Sequence, residues 1–164
     1  SIAVGTAAAF GEVGCYGVGA GVGADFVPAG GMGWLQWPGD EAVGRHASAD
    51  AEASEPAPPR AVGDTLPCPA VGTVPVADGL LLTVFAAAAS ASEVADRVRL
   101  FPTAVAEDME GFAVAAACRM ADVPCGIVRG ISNRAGDRDV SGWQIGPALQ
   151  AAAALACRIL EERS

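Results

Sequence analysis

A β-α-β pattern in the second half of the chain constrains the fold more than any other feature. Residues 103–106 form a short apolar segment followed by acids. The alanine-dominated run at 110–121 favours a helix, because alanine has the lowest cost in helical conformation, and Asp108 is placed to be its N-cap. Residues 126–132 have the length and composition of a buried strand. The pattern predicts two parallel strands joined by a crossover helix.

Two polar side chains follow these predicted strands. Parallel strands end at the same edge of a sheet, where open α/β sheets bind small ligands, so we expect Glu110 and Asn133 to face one crevice. A carboxylate accepts hydrogen bonds from two hydroxyls at once, as in a ribose diol, and a carboxamide offers a donor and an acceptor to the edge of a heterocycle. Alternatively, Glu110 only places negative charge at a helix N-terminus and Asn133 only ends a strand. Spacing alone leaves both interpretations open.

The motifs around these residues resemble those of one known superfamily. They are Met-Glu-Gly-Phe at 109–112, Val-Pro at 123–124, Arg-Gly-Ile-Ser-Asn-Arg-Ala-Gly-Asp-Arg-Asp at 129–139 and Trp-Gln-Ile-Gly-Pro-Ala-Leu at 143–149. The combination is similar to the purine nucleoside phosphorylase and nucleosidase superfamily, and within it to the futalosine hydrolases of the alternative menaquinone pathway. The similarity is dense from about residue 75 to residue 160.

This resemblance implies a nucleoside-phosphorylase-like α/β fold, with three layers (α/β/α) around a mixed, mostly parallel sheet. Residues 1–164 would form a single domain with a Pro/Ala-rich loop at about 47–71. Members of the superfamily are usually longer, so the resemblance also implies an N-terminally incomplete domain. The first strand of the complete domain, with the glutamate that activates water, is then expected to precede Ser1.

The resemblance also implies roles for individual residues. Glu110 would hold the ribose diol, Met109 would pack on the ribose, and Asn133 would bind the purine, so that Glu110 and Asn133 carry the catalysis. An amide at position 133 favours a 6-oxopurine such as hypoxanthine, since related nucleosidases acting on adenine have aspartate there. Neither a metal nor an organic cofactor is implied. The predicted substrate-binding set is completed by Phe112, Gly5, Thr6 and Ala7.

The implied reaction is hydrolysis of the N-ribosidic bond of futalosine, with release of hypoxanthine. The acids available to activate water are Glu12, Asp25 and Asp40, and none lies in a matching motif. One alternative is another purine nucleosidase or a phosphorylase, which would need a basic phosphate site that residues 6–10 do not offer. Another is a truncated, non-catalytic homologue that binds a purine nucleoside.

Composition limits the partners and the compartment. The net charge of −9 and the pI near 4.4 argue against a nucleic-acid or anionic-membrane surface. The longest apolar run, at about 80–89, is too short to span a bilayer, and no signal-peptide pattern is visible. Five cysteines without a Cys-x-x-Cys pair indicate core thiols. We therefore expect a cytoplasmic protein with a small-molecule nucleoside substrate, and a homo-oligomer by resemblance.

The remaining segments give coarser predictions. Residues 1–10 begin as a strand and turn into small residues, and the glycine-dense run at 11–34 predicts short strands joined by turns. Continuous apolar runs at 71–75 and 80–85 predict buried strands. A helix follows, with Arg97 among the residues on its solvated face. The last helix is expected to bury one side, which holds Ile145, Leu149, Ala153, Ala156 and Leu160.

Three aromatics that are close in sequence, and the single histidine, lie between residues 26 and 46. Phe26, Trp34 and Trp37 are more consistent with a core or a subunit contact than with a stacking platform. His46 lies in a polar, alanine-rich stretch without an apparent partner, which indicates a solvated side chain.

Overall fold

The computed structural model describes residues 2–33, 64–69 and 72–162. Within these ranges the strands are β1 (Ala7–Phe10), β2 (Glu12–Tyr16), β3 (Gly19–Ala20), β4 (Val27–Pro28), β5 (Thr65–Pro67), β6 (Leu80–Val84), β7 (Ala104–Asp108) and β8 (Ile127–Gly130). The helices are α1 (Ala91–Leu100), α2 (Gly111–Met120) and α3 (Ile145–Glu161).

The central sheet has the strand order β5-β2-β6-β7. Strand β6 runs parallel to both of its neighbours, and β5 pairs antiparallel to β2 at the edge. All five residues of β6 are buried, as expected for a parallel strand covered on both faces. Helix α2 packs against β2, β5 and β6. This arrangement confirms the predicted mixed, mostly parallel sheet, the strand at 80–85 and the helix at 110–121.

Strands β1 and β8 form a second sheet, which is covered by α3. Strands β1 and β8 pair antiparallel, and α3 packs against both of them. Strands β3 and β4 form a separate short ladder, in agreement with the short strands predicted at 11–34. Phe26 is buried beside it with its ring 4.7 Å from that of Tyr16, so its predicted core position is confirmed.

The predicted pairing of the β-α-β unit is wrong. Strands β7 and β8 flank α2 as expected, but β7 pairs with β6, whereas β8 pairs with β1 in the other sheet. The two strand ends are nevertheless close, because Arg129 Nη2 lies 2.7 Å from Asp108 Oδ2. The ends of β7 and β8 therefore lie next to each other, as expected. They are joined by a salt bridge and not by backbone hydrogen bonds.

The beginning of the chain reverses the predicted order. Residues 2–6 form a turn, in which Gly5 has a positive φ of 82°, and the strand follows at Ala7–Phe10. Alanine has a low intrinsic preference for strands, but Ala9 and Phe10 are completely buried and the whole segment pairs with β8. Burial and ladder formation outweigh the local preference here.

The Pro/Ala-rich segment at 47–71 contains a strand where a loop was predicted. Its described part includes β5, and Pro67 is tolerated there because β5 is an edge strand. The predicted strand at 71–75 is wrong, since residues 72–75 form turns and only Val76 makes a single bridge, to Ala9. Trp34, Trp37, His46 and residues 47–63 lie outside the described residues.

Two helices bury different side chains from those predicted. Arg97 of α1 is buried, because it forms an ion pair with Glu107. Helix α3 buries Ala148 and Ile159, whereas Leu149 and Leu160 are 65% and 66% exposed. The small Ala148 faces the sheet because the α3 backbone approaches β8 closely.

We expect Gly130→Ala to destabilise the protein, because a Cβ at this position would lie 2.4 Å from the carbonyl oxygen of Ala148. Overpacking of this kind costs about 1–3 kcal/mol. Gly146→Ala, within α3, is the matched control: a Cβ there meets nothing within 4 Å and improves helix propensity. Thermal unfolding should give a lower Tm for the first variant and an equal or higher Tm for the second. Equal Tm values for Gly130→Ala and the unsubstituted chain would contradict the close α3–β8 contact.

Candidate functional site

A cleft of about 780 Å³ opens at the carboxyl ends of β6, β7 and β8. Its volume lies in the range of roughly 300–1,000 Å³ that is typical of small-molecule sites. Its walls include residues 2–4, residues 105–109 and residues 130–136, together with Val84 at the end of β6. The cleft therefore lies between the central sheet and the sheet formed by β1 and β8.

One wall of the cleft is held by a buried ion pair. Glu107 lines the cleft, pairs with the guanidinium of Arg97 and accepts a hydrogen bond from Ala88 N at 2.9 Å. Arg97 also donates to the carbonyl of Ala86 at 2.9 Å and lies over the Tyr16 ring, 5.3 Å from its centroid. Because these contacts occupy the Glu107 carboxylate, it is unsuited to act as a general base.

Met109 and Glu110 lie between the end of β7 and the start of α2. Met109 lines the cleft. Glu110 is the exposed N-cap residue of α2, and its side chain forms no hydrogen bond with a described residue. The prediction that Asp108 is the N-cap residue is wrong, because Asp108 ends β7. Its carboxylate nevertheless accepts a hydrogen bond from Gly111 N at 3.0 Å.

Phe112 belongs to the hydrophobic core and not to the cleft lining. Its side chain is buried in a cluster with Phe10, Val13 and Leu81. Its backbone N–H donates to Thr83 Oγ1 at 2.7 Å. The predicted contact between Phe112 and substrate stays a prediction. In this structure the Phe112 side chain packs the first turn of α2 against the hydrophobic core.

Asn133 lines the cleft and is half-buried. Its Oδ1 accepts a hydrogen bond from Ser132 Oγ at 2.7 Å, and its Nδ2 donates to the carbonyl of Arg134 at 3.0 Å. A longer bond of 3.4 Å joins Nδ2 to the carbonyl of Asp137. The amide is thus engaged within its own loop, and a purine would have to replace one of these partners.

Gly5, Thr6 and Ala7 lie behind the cleft wall. Gly5 N donates to the carbonyl of Ile131 at 2.7 Å, and Ile131 N donates to the carbonyl of Thr6 at 2.8 Å. Thr6 Oγ1 donates to the carbonyl of Ala3 at 2.6 Å. These bonds hold residues 2–4, which do line the cleft, against the end of β8. Direct contact of Gly5, Thr6 or Ala7 with substrate stays a prediction.

Sequence reasoning assigned no role to three residues of the cleft lining: Arg134, Arg138 and Trp143. The Arg138 guanidinium lies 5.2 Å from the centroid of the Trp143 ring, and Trp143 Nε1 is buried without an acceptor among the described residues. Neither arginine has a carboxylate partner in the described part of the chain. The motif at 129–139 contains both arginines, but their placement depends on the turn at Gly136, which has a φ of 83°.

The two described acids of the three that are available in the first part of the chain do not line the cleft. Glu12 is exposed on β2, and Asp25 is exposed in a short 3-10 turn at Gly23–Asp25. Asp40 lies outside the described residues. Of the predicted ligands, Met109 and Asn133 line the cleft, whereas Glu110 lies at the start of α2 outside the lining, so its predicted contact with the ribose stays a prediction. No residue of the lining is assigned to water activation.

The thiols provide no nucleophile for this site. Burial, together with the neighbouring Cys125, raises the pKa of Cys68 to about 12, so this thiol is protonated at neutral pH. Cys15 is also buried, and no cysteine is among the residues that line the cleft. Among residues 2–33, 64–69 and 72–162, no group of three or more side chains has a metal-binding arrangement, and no helix is long and apolar enough to cross a bilayer.

Two curated relatives are similar to part of this chain. A futalosine hydrolase from Acidothermus cellulolyticus is 43% identical over 79 residues, which are 48% of this chain and 32% of that protein. A futalosine hydrolase from Streptomyces coelicolor is 45% identical over 69 residues, which are 42% of this chain and 28% of that protein. The matched segment thus spans about a third of the length of these relatives.

Two further comparisons cover almost the whole chain. A crystal structure of 5′-methylthioadenosine/S-adenosylhomocysteine nucleosidase from Neisseria meningitidis, in complex with methylthio-immucillin-A, superposes with a TM-score of 0.56 at 18% identity. The superposition covers 98% of this chain and 62% of that chain, and it supports the α/β fold. The sequence profile of the Phosphorylase superfamily matches residues 2–162. The chain therefore belongs to the Phosphorylase superfamily.

Proposed function

We propose that this chain takes part in hydrolysis of the N-ribosidic bond of a purine nucleoside, as an N-glycosyl hydrolase of menaquinone biosynthesis. Futalosine is the favoured substrate, and hypoxanthine is the base released. The observation that carries the proposal is the meeting of Met109 and Asn133, from the ends of strands in different sheets, at one cleft of suitable volume. Membership of the superfamily and the two futalosine hydrolase relatives support it.

In the proposed reaction the sugar develops oxocarbenium character as the bond to the base breaks. The Glu110 carboxylate accepts hydrogen bonds from both ribose hydroxyls and fixes the sugar in place. Met109 packs on the ribose. Asn133 donates from Nδ2 to the purine, where the leaving base gains electron density, after exchanging its bonds to the carbonyls of the 134–137 loop.

The assay that tests this function measures base release from futalosine and from inosine by chromatography, with and without inorganic phosphate. A hydrolase should release hypoxanthine and free sugar at a rate independent of phosphate. Strict dependence on phosphate, with a sugar 1-phosphate as product, would contradict hydrolysis. It would instead favour a phosphorylase, for which Arg134 and Arg138 of the cleft, which have no carboxylate partner among the described residues, are candidate phosphate ligands.

We expect the site to prefer hypoxanthine over adenine, and we expect Asn133→Asp to reduce or reverse this preference. An amide N–H can donate to a 6-oxo group, whereas a protonated carboxyl can donate to the N7 of adenine. An unmet hydrogen bond in a buried site costs about 1–3 kcal/mol, which gives a measurable ratio of Kd values. Titrations of both bases against both proteins provide the measurement. A preference for adenine in the unsubstituted chain would refute the assignment of Asn133.

The assembly and compartment form part of the same proposal. We propose a cytoplasmic homo-oligomer that binds neither nucleic acid nor membranes, consistent with the net charge of −9. Ile145, Leu149 and Leu160 are exposed apolar side chains of α3, which suits a subunit contact. Light scattering should give a mass above the 16.3 kDa of one chain. A monomer at all concentrations tested would contradict this part of the proposal.

A further inference from the structure

Asp108 is the centre of a polar network beside the cleft. Its side chain is only 6% exposed, and each oxygen has partners. Oδ1 accepts a hydrogen bond from Thr83 Oγ1 at 2.7 Å. Oδ2 accepts from Arg129 Nε at 2.8 Å and from Gly111 N at 3.0 Å, and Arg129 Nη2 lies 2.7 Å away. The carboxylate thus joins side chains at the ends of β6 and β8 to the start of α2.

The same network fixes the first turn of α2. The first N–H groups of a helix have no partner within the helix. Here Gly111 N donates to Asp108 and Phe112 N donates to Thr83 Oγ1 at 2.7 Å, so two of these donors are bound by side chains of the central sheet. Arg129 adds an ion pair from the second sheet, in which Nε donates to Asp108 Oδ2 and Nη2 lies close to the same oxygen.

Met109 and Glu110 lie between the two fixed points of this network, Asp108 and Gly111. Glu110 has a backbone conformation that is neither helical nor extended, with φ −130° and ψ −24°. Its side chain forms no hydrogen bond with a described residue, so it has no anchor of its own. The position of its carboxylate therefore depends on the backbone, and the backbone depends on Asp108.

We propose that Asp108 and Arg129 are positioning residues, which hold Glu110 and Met109 in the geometry that binds the ribose. This inference rests on the proposed function. A displacement of about 1 Å in a binding group can reduce activity about a hundredfold. Asparagine at position 108 is uncharged and has one acceptor oxygen where the carboxylate has two. If that oxygen replaces Oδ2, the amide group faces the Thr83 hydroxyl, and if it replaces Oδ1, the amide group faces the donors of Arg129 and Gly111; in both cases the ion pair with Arg129 is lost. The substitution should therefore release Glu110 without removing it.

The test compares inosine with 2′,3′-dideoxyinosine, which lacks the diol that Glu110 is proposed to bind. Calorimetric titration should show that the unsubstituted chain binds inosine about 10- to 100-fold more tightly than dideoxyinosine, as expected for hydrogen bonds to a charged group. The quantity compared between variants is this ratio of the two Kd values. In Asp108→Asn this ratio should fall to about threefold or less, with the Kd of dideoxyinosine changed by no more than about twofold. Combining Asp108→Asn with Glu110→Gln should reduce the ratio no further, because both substitutions remove the same contact.

Two further variants separate positioning from general destabilisation. Ile159→Val removes a methyl group from a core cluster away from the cleft and should leave the inosine ratio unchanged. Arg129→Lys retains the charge but has a single nitrogen where Nε and Nη2 both contact Asp108 Oδ2, so the ratio of the two Kd values should fall partway. If circular dichroism shows that Asp108→Asn does not fold, the ratio of the dideoxyinosine and inosine Kd values in Arg129→Lys alone tests the positioning role.

The outcomes distinguish this inference from the function on which it rests. Equal affinity of the unsubstituted chain for both nucleosides would refute the ribose role of Glu110 and with it the proposed function. A large ratio that persists in Asp108→Asn, or in Arg129→Lys where the first variant does not fold, would overturn the positioning role alone. An equal loss of affinity for both nucleosides in Asp108→Asn, but not in Ile159→Val, would also overturn it, because the network would then support the whole cleft.

Discussion

Replacing Glu110 with glutamine is expected to weaken inosine binding by about 10- to 100-fold while leaving the Tm unchanged. Hydrogen bonds to a charged group contribute about 1.5–3 kcal/mol each, and about 1.4 kcal/mol changes Kd tenfold. An amide accepts through one atom only and presents a donor to the second ribose hydroxyl. The Tm should not change, because Glu110 is exposed and the first N–H groups of α2 are bound by other side chains, Gly111 N by Asp108 and Phe112 N by Thr83.

The matched control for this variant is Glu161→Gln, which makes the same change at an exposed position at the end of α3. It should alter neither inosine affinity nor Tm. Unchanged affinity in Glu110→Gln would support the alternative that Glu110 only places charge at a helix N-terminus.

Replacing Arg97 with methionine is expected to have the largest effect on stability, about 3–5 kcal/mol. The substitution leaves the Glu107 carboxylate, whose side chain is 17% exposed, without its cationic partner. It also removes the hydrogen bond to the carbonyl of Ala86. Urea unfolding would show the loss as a lower midpoint with an unchanged slope.

The control is Arg99→Met, an exposed arginine on the same helix, which should cost less than about 1 kcal/mol. Removing both charges with Arg97→Met and Glu107→Met should recover much of the loss, since uncompensated buried charge is the main cost. A cost below about 1 kcal/mol for Arg97→Met alone would show that the pair is not an essential part of the cleft wall.

The sequence predicts those elements whose identity is decided locally. Strand β6 follows from a continuous apolar run, because a strand covered on both faces has no solvated positions. Helix α2 follows from alanine-rich composition and the proline after it. The expectation that Glu110 and Asn133 face one crevice, because each follows a strand, is met for Asn133, which lines the cleft together with Met109; Glu110, the next residue after Met109, is not in the lining.

The failures concern contacts between distant segments. Nothing local to β8 indicates that its partner is β1, which lies more than a hundred residues earlier in the chain. The buried face of α3 depends on Gly130, whose missing side chain lets Ala148 approach, while the larger Leu149 remains exposed. A helical wheel places Arg97 on the solvated face of its helix, and only the fold brings Glu107 to it.

The candidate site shows the same limit. The motif containing Asn133 was identified, but the hydrogen bonds that occupy its amide depend on the path of the 134–137 loop. Arg138 and Trp143 enter the cleft as a stacked pair only because that loop turns at Gly136. The sequence indicates only a helix cap at Asp108, since the partners of its carboxylate come from strands β6 and β8 as well as from the start of α2.

The most direct test of the central claim is a crystal structure of the chain soaked with inosine. We expect the nucleoside in the cleft at the ends of β7 and β8, with both ribose hydroxyls within about 3 Å of the Glu110 carboxylate oxygens and the 6-oxo edge at Asn133. The Asp108–Arg129 ion pair should be retained in the complex. Inosine bound elsewhere on the surface, or bound in the cleft with Glu110 directed to solvent, would contradict the claim that this cleft is a ribonucleoside site.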